Sequence, residues 1–201
     1  DVELDNSNGN DGGRWLVFSD GQRETRVHES TEIINIDGNT SFNRYWDSHR
    51  VEINDPRPNS RRELDLEGSF RNEDFHGGRG RDNLTGAGGA DHFYLESNHR
   101  RAFGDSNADR ITDFSKAEND MIKIDASEFG VDVDNVVKFA RDSRQANRLL
   151  GSEDNAFVYD RSTGSLYFNR NGDEDGSGDG LMAIIQGGNA NSLRNQHFEL
   201  V

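Results

Sequence analysis

The sequence predicts a mainly β protein with a short, flat parallel solenoid at its centre. Three observations lead to this fold class. Helical periodicity is nearly absent, short apolar runs alternate with clusters of Gly, Asn and Asp, and a glycine-rich segment repeats every nine residues. We divide the chain into an N-terminal β region (1–67), the repeat segment (68–115) and a C-terminal β region (116–201).

The composition combines little core-forming material with a large excess of acid. The 201 residues include 38 Asp and Glu against 23 Lys and Arg, a net charge of −15, and only 31% are hydrophobic. Such a chain buries little apolar surface to offset its ordering entropy, so we expect a bound cation to supply part of its stability. The acidic balance argues against nucleic acid as a partner, and no apolar run is long enough for a membrane-spanning helix. The absence of cysteine excludes disulfides and thiolate metal sites.

The predicted elements are short strands separated by turn residues. In the N-terminal region we predict a hairpin and three further strands: 15–18 with 24–28, then 33–36, 51–53 and 64–66. After the repeat we predict a second hairpin and two closing strands: 156–159 with 166–168, then 181–185 and 198–201. The best helix candidates are 126–129 and 133–150.

The repeat is a nonapeptide of the pattern G-G-x-G-x-D-x-U-x, where U is apolar. Residues 77–85 match at every position, and residues 86–94 match with Ala87 in second place. Residues 68–76 match the pattern only in part. Residues 95–103 do not match it, and residues 104–112 match it again in the same nine-residue register. The eighth-position residues are expected to point inward and to form a thin core: Leu66, Phe75, Leu84, Phe93 and Ile111.

Each nonapeptide is expected to form one turn and one short strand, so that consecutive turns alternate between the two edges of the solenoid. Turns 18 residues apart then stack on the same edge. Asp91 lies 18 residues before Asp109 and 18 after Glu73, so its turn can stack against either, and we predict the best-formed site between the turns 86–91 and 104–109. Asp82 lacks a good partner at that interval and is expected to form a weaker site with Asn98.

The residue types in these turns indicate a hard cation. Glycine permits positive φ, so backbone carbonyls can face the gap between stacked turns. Carbonyl and carboxylate oxygens, without nitrogen or sulfur, suit Ca²⁺. The candidate ligands are acids and turn residues of the repeat: Glu73, Gly78, Gly80, Asp82, Gly89, Asp91, Asn107, Asp109 and Asp113. Because acidic turns stack poorly without the ion, we expect metal binding and folding to be one event.

The nonapeptide resembles that of the RTX (repeats-in-toxin) proteins, and the resemblance covers about residues 68–201. Residues 108–114 and 118–127 are similar to the segment that closes the β-roll in that family, and residues 159–168 resemble a hairpin near RTX C-termini. The resemblance implies a Ca²⁺-binding parallel β-roll with a C-terminal β cap. It also implies an upstream effector domain and secretion from a bacterial cell by a one-step exporter that reads an uncleaved C-terminal signal.

Other constellations have weaker functional interpretations. The acidic loop 173–179 is expected to be a solvated hairpin loop, since Ile184 stands where an EF-hand requires Glu. His76, His92 and His99 lie near the repeat, and we interpret them as surface histidines rather than as ligands of a transition metal.

We expect a calcium-folded, non-enzymatic C-terminal module of a secreted or cell-surface RTX-type protein. The chain begins with Asp1 rather than Met, so we expect a fragment or processed product of a longer protein. Two alternatives for residues 1–67 stay open. One is a calcium-dependent self-processing or hydrolytic fragment that uses Asp55, and the other is an adhesin-like carbohydrate-binding module that uses Trp15, Tyr45 and Trp46.

Overall fold

The computed structural model describes most of the C-terminal two thirds of the chain and the first third as separate strands. The described residues are 2–5, 15–19, 24–28, 33–35, 40–41, 51–54, 63–78, 80–95, 108–132, 136–151, 157–169 and 180–201.

Strands dominate the described residues, which confirms the mainly β prediction. The first twelve strands are β1 (Val2–Asp5), β2 (Trp15–Ser19), β3 (Glu24–His28), β4 (Ile33–Asn35), β5 (Thr40–Ser41), β6 (Val51–Asn54), β7 (Asp65–Glu67), β8 (Glu73–His76), β9 (Asn83–Thr85), β10 (His92–Leu95), β11 (Asp109–Ile111) and β12 (Met121–Ile124). The remaining elements are the helix α1 (Ala126–Phe129), β13 (Val137–Ala140), the helix α2 (Ser143–Leu150), β14 (Phe157–Asp160), β15 (Ser165–Phe168), β16 (Gly180–Ile185), two single-turn 3-10 helices (Ala190–Ser192 and Asn195–His197) and β17 (Phe198–Leu200).

From β4 to β12 the chain alternates between two sheets. The first sheet has the order β17-β12-β10-β8-β6-β4, and the second has the order β13-β14-β15-β16-β11-β9-β7-β5. Neighbouring strands from β4 to β12 pair in parallel in both sheets. The pairing crosses the predicted boundaries after residues 67 and 115, so strands from all three sequence regions share the same two sheets. β1, β2 and β3 form a separate antiparallel sheet that includes the predicted first hairpin.

Strands of the repeat pair at the predicted interval, and later strands pair at longer ones. Leu66 pairs with Leu84, and β8 is offset from β10 by the same 18 residues. Beyond the second nonapeptide, Leu84 pairs with Ile111 and Phe93 pairs with Ile122. Strand β11 follows β10 but lies in the opposite sheet. The chain therefore changes sheet an odd number of times between Phe93 and Ile111, where two nonapeptides would give an even number.

One hydrophobic cluster draws residues from both sheets. Phe75, Leu84, Phe93 and Ile111 are all 0% exposed, which confirms that the eighth-position residues point inward. The rings of Phe75 and Phe93 stack with their centroids 5.1 Å apart. The same cluster continues into the C-terminal region through these residues: Phe114, Ile122, Ile124, Phe157, Tyr159 and Leu166. The thin core of the repeat is thus the beginning of a larger one.

The C-terminal region extends the second sheet and contains one correction. β14 and β15 form the predicted antiparallel hairpin, and β16 pairs in parallel with β11. The predicted helix over 133–150 is wrong in its first half, where β13 pairs in parallel with β14. The helix starts only at Ser143, because Asp142 Oδ1 accepts the backbone N–H of Gln145 at 2.9 Å and caps it. Residues 133–135 lie outside the described residues.

Candidate functional site

Three buried acids are stacked along one edge of the first sheet. The backbone N–H of Glu73 donates to Asp91 Oδ1 at 2.8 Å, and the backbone N–H of Asp91 donates to Asp120 Oδ1 at 2.9 Å. Glu73 and Asp91 are each 1% exposed and Asp120 is 3% exposed. Each acid immediately precedes a strand or begins it. Each aspartate accepts a hydrogen bond from the backbone of the preceding coil of the solenoid, at the corresponding position of the neighbouring strand in the same sheet. We call Glu73, Asp91 and Asp120 the three-acid ladder.

The second sheet has an equivalent ladder with two acids. The backbone N–H of Leu64 donates to Asp82 Oδ1, and that of Asp82 donates to Asp109 Oδ1, both at 2.9 Å. The predicted stacking of Asp91 on Asp109 is therefore wrong. Asp109 lies on the coil of Asp82, 27 residues earlier, because β11 belongs to the second sheet. The expectation that Asp82 lacks a good partner at an interval of 18 residues is also wrong, because Asp82 accepts the backbone N–H of Leu64 at that interval.

The first glycine of each nonapeptide makes room for the carboxylate of its own repeat. A Cβ on Gly77 would lie 2.6 Å from Asp82 Oδ2, and a Cβ on Gly86 would overlap Asp91 Oδ2. Neither glycine has a positive φ. Steric space for the acid therefore explains glycine at this position.

The second and fourth positions have different reasons for small residues. Gly78 and Ala87, both in second place, have φ values of 78° and 66°. Gly89, in fourth place, has a φ of 117°, and a Cβ there would overlap the carbonyl oxygen of Arg71 on the preceding coil. A Cβ on Gly68 would likewise lie 2.6 Å from the carbonyl oxygen of Gly86. The carbonyl oxygens of Arg71 and Gly86 therefore lie in close contact with glycines of the adjacent stacked turns.

Burial and mutual repulsion raise the pKa values of the three-acid ladder. Burial raises the pKa of Asp91 to about 9, and the charges of Glu73 and Asp120 add to the effect. Burial also raises the pKa of Asp120 to about 6, with contributions from Asp113 and Glu118, and it raises the pKa of Glu73. The folded chain therefore resists full ionisation of this ladder unless positive charge compensates it.

Asp120 was not among the predicted ligands, although the sequence carries a signal for it. Asp120-Met121-Ile122 repeats the acid, any residue, apolar residue order of Asp82-Asn83-Leu84, but without the preceding glycines. Its second oxygen accepts the backbone N–H of Ser115 at 2.8 Å. The order of the last residues of the repeat thus persists after the glycines end.

Asp113, a predicted ligand, binds the backbone at the start of the turn 86–91. Its two carboxylate oxygens accept the N–H groups of Gly86 and Ala87 at 2.9 and 2.8 Å. Asp113 therefore lies beside the turn that carries Asp91. The predicted residue Gly80 is buried in the turn before Asp82.

Several predicted residues cannot be placed. The residues outside the described part are Tyr45, Trp46, Asp55, Asn98, His99, Asn107 and the loop 173–179. Of the histidines near the repeat, His92 Nδ1 lies 3.0 Å from Asp74 Oδ1, and His76 stacks on Tyr94 with ring centroids 4.2 Å apart. Both histidines are half-buried.

Within the described residues, no group of three or more His, Cys, Asp or Glu side chains is arranged to hold a metal ion. The oxygens at the three-acid ladder belong to the carboxylates of Glu73, Asp91 and Asp120, and the carbonyl oxygens of Arg71 and Gly86 lie against Gly89 and Gly68 of the adjacent turns. This all-oxygen set fits the chemistry of Ca²⁺, which accepts backbone carbonyls beside carboxylates. It does not fit a transition metal that prefers nitrogen or sulfur.

Comparisons place no further constraint on the site. No protein-family model, no curated protein and no solved structure matches the chain. Among the helices of the described part, none is both long enough and apolar enough to cross a membrane.

Proposed function

We propose that the chain is a calcium-binding module that completes its folding when Ca²⁺ enters the acidic turns. The observation that carries this proposal is the three-acid ladder, in which Glu73, Asp91 and Asp120 are buried in direct succession. Buried carboxylates of like charge are costly unless they are protonated or paired with a cation. At neutral pH the raised pKa of Asp91 keeps its carboxyl protonated in the absence of a cation, and a bound divalent cation would displace that proton.

The residues divide into ligands and supports. Asp91 supplies the central carboxylate, with Glu73 and Asp120 on the coils before and after it. The glycines of the turns, Gly78, Gly80 and Gly89, keep the backbone close enough for carbonyl oxygens to complete the shell. Bound Ca²⁺ supplies the positive charge that these buried oxygens lack. Asp82 and Asp109 form the lesser site on the opposite edge.

The parallel coils of nonapeptides with acidic turns support a β-roll of the RTX type as the finer fold assignment. We extend the proposal accordingly to a secreted or cell-surface bacterial protein whose C-terminal region is read by a one-step exporter. We further propose a carrier or structural role for the module, with any enzymatic activity in an upstream effector domain.

Calorimetric titration tests the proposal directly. Chelator-treated protein is titrated with Ca²⁺ and, separately, with Mg²⁺ at the same ionic strength. We expect saturable Ca²⁺ binding and much weaker Mg²⁺ binding, because Mg²⁺ demands a tight octahedron and dehydrates reluctantly. Absence of Ca²⁺ heat and of any Ca²⁺ effect on thermal unfolding would overturn the proposal.

A further inference from the structure

The helix α2 and the residue before its cap carry the opposite charge from the rest of the chain. Residues 136–151 contain Lys138, Arg141, Arg144 and Arg148 against the single acid Asp142, a net charge of +3 in a chain of net charge −15. Arg141 is 83% exposed, and Arg144 and Arg148 are exposed as well. We call Arg141, Arg144 and Arg148 the arginine row.

The arginine row lies on a rigid support. Ala146 and Leu150 bury the opposite side of α2 in a small cluster with Ala140 and Val158. Asp142 caps the helix, and Ser143 Oγ donates to Asp160 Oδ2 at 2.6 Å. Arg144 and Arg148 are one turn apart, about 6 Å along the axis, so their guanidinium groups can lie side by side.

The two helical arginines differ in their effect on the helix itself. Arg148 lies in the last turn, where a positive charge favours the helix dipole, whereas Arg144 lies in the first turn, where it opposes the dipole. Arg141 pairs with Asp142 at 3.2 Å, but within the described residues neither Arg144 nor Arg148 has an acidic side chain in ion-pair contact. A role outside the helix itself explains the position of Arg144 better.

We propose that the arginine row binds a linear anionic polysaccharide through its carboxylate or sulfate groups. The planar guanidinium fork suits both groups, since it can donate two parallel hydrogen bonds to each. Because charges are screened beyond about 8 Å at physiological salt, a thin flexible polyanion can contact the row without approaching most of a chain whose net charge is −15. An anionic bilayer or duplex would bring the acidic surface close as well, and the chain would be repelled.

Single-stranded nucleic acid is a thin polyanion too, but it is bound mainly by aromatic stacking. The exposed residues of α2 are Ser143, Arg144, Asn147 and Arg148, so this face offers no ring. The exposed face favours a sugar polymer, with Asn147 available beside the charges.

Binding measurements with two matched double variants test the proposal. Immobilised heparin and polygalacturonate are the anionic probes and dextran is the neutral one, with millimolar Ca²⁺ in every buffer. Arg144→Gln with Arg148→Gln removes two charges from the row, and Arg110→Gln with Arg194→Gln removes two exposed charges elsewhere. Constant Ca²⁺ and a circular dichroism check on each variant separate this test from that of calcium-dependent folding.

We expect the parent chain to bind both polyanions, more weakly as salt rises, and not to bind dextran. The α2 double variant should lose about tenfold in affinity, the sum of two modest charge contacts, and the control less than about twofold. Equal losses in both variants, or no binding by the parent chain, would overturn the proposal. Two further outcomes would also overturn the proposal. In the first, the parent chain adsorbs only to anionic vesicles and Arg144→Gln with Arg148→Gln abolishes this adsorption, which would indicate a membrane surface. In the second, the parent chain only self-associates and the same double variant abolishes the association, which would indicate a second copy.

Discussion

The backbone N–H of Glu73 donates to Oδ1 of Asp91 at 2.8 Å across an interval of 18 residues. The same contact recurs between Asp91 and Asp120, and on the opposite edge between Asp82 and Asp109. Each aspartate thus fixes the coil that precedes it with one oxygen. Its second oxygen lies against the first glycine of its own repeat in the two complete nonapeptides. Each aspartate is therefore both a hydrogen-bond acceptor that holds neighbouring coils together and a buried carboxylate whose charge a cation would stabilise.

Asp91→Asn separates these two roles, because the amide oxygen still accepts the N–H of Glu73 while the charge disappears. We expect the Ca²⁺ midpoint of folding to rise at least about tenfold, which corresponds to a loss of about 1.4 kcal/mol. In the absence of Ca²⁺ the variant should be as stable as the parent chain or more stable at pH 8, since a buried repulsion is removed. Calcium titrations followed by circular dichroism measure the midpoint, and the far-UV β signal that each chain retains in chelator compares their calcium-free stabilities.

Two further substitutions calibrate this result. Asp82→Asn should raise the midpoint less than Asp91→Asn, because its ladder has two acids rather than three. Asp65→Asn removes a charge from the exposed side of β7 and should leave the midpoint unchanged. If Asp65→Asn shifts the midpoint as much as Asp91→Asn, net charge rather than the ladder controls folding.

Gly89→Ala tests the close approach of stacked turns. The substitution places a Cβ against the carbonyl of Arg71 at a φ of 117°, and it should cost at least about 2 kcal/mol of unfolding free energy. The neighbouring Gly88 is a matched control, because its φ is not positive and a Cβ there would meet its nearest atom, Glu118 Oε1, at 3.5 Å. Equal effects of the two substitutions in urea unfolding with Ca²⁺ would show that the turns do not stack as described.

Phe93→Ala tests the core of the repeat. Phe93 is fully buried, stacks on Phe75 and contacts Phe114 at a centroid distance of 6.4 Å. Its truncation should cost about 3–5 kcal/mol and should raise the Ca²⁺ midpoint, since packing and ion binding are coupled. Phe70 is 55% exposed, so Phe70→Ala is the control and should change neither quantity appreciably.

The pKa shifts predict an unusual pH dependence for the calcium-free protein. A carboxyl whose folded pKa is raised binds more protons when folded than when unfolded, so stability falls as pH rises between the two values. For Asp91 that window runs from about 4, the ordinary value, to about 9. We expect chelated protein to be more stable at pH 5 than at pH 8, and Ca²⁺ to reverse the order and to release protons as it binds. Stability in chelator that rises steadily from pH 5 to pH 8 would contradict the raised pKa values.

The inward residues and the first coils followed from the sequence because they depend on local periodicity alone. Phe75, Leu84 and Phe93 recur every nine residues, and each occupies an inward-facing position in its own short strand. The pairing of Asp109 did not follow, because it depends on how many times the chain changes sheet between β10 and β11. An interval of 18 residues does not by itself tell whether the chain changes sheet once or twice within it.

The missed elements have similar physical causes. Asp120 lacks the glycines that drew attention to the repeat, and only its position before a buried strand reveals it. The first half of the predicted helix over 133–150 became β13, because Val137 gains more from pairing beside β14 in the sheet than from helical propensity. Tertiary pairing, rather than local preference, decided both outcomes.

Far-UV circular dichroism and hydrodynamic radius, measured on chelated protein during titration with Ca²⁺ at pH 7.5, test the central claim most directly. We expect the chelated chain to lack much of its β signal and to be expanded, and both measurements to change together to a compact β form at millimolar Ca²⁺ or below, with Mg²⁺ substituting poorly. Identical spectra and radii in chelator and in saturating Ca²⁺ would contradict the claim that the acidic ladders need a cation to fold.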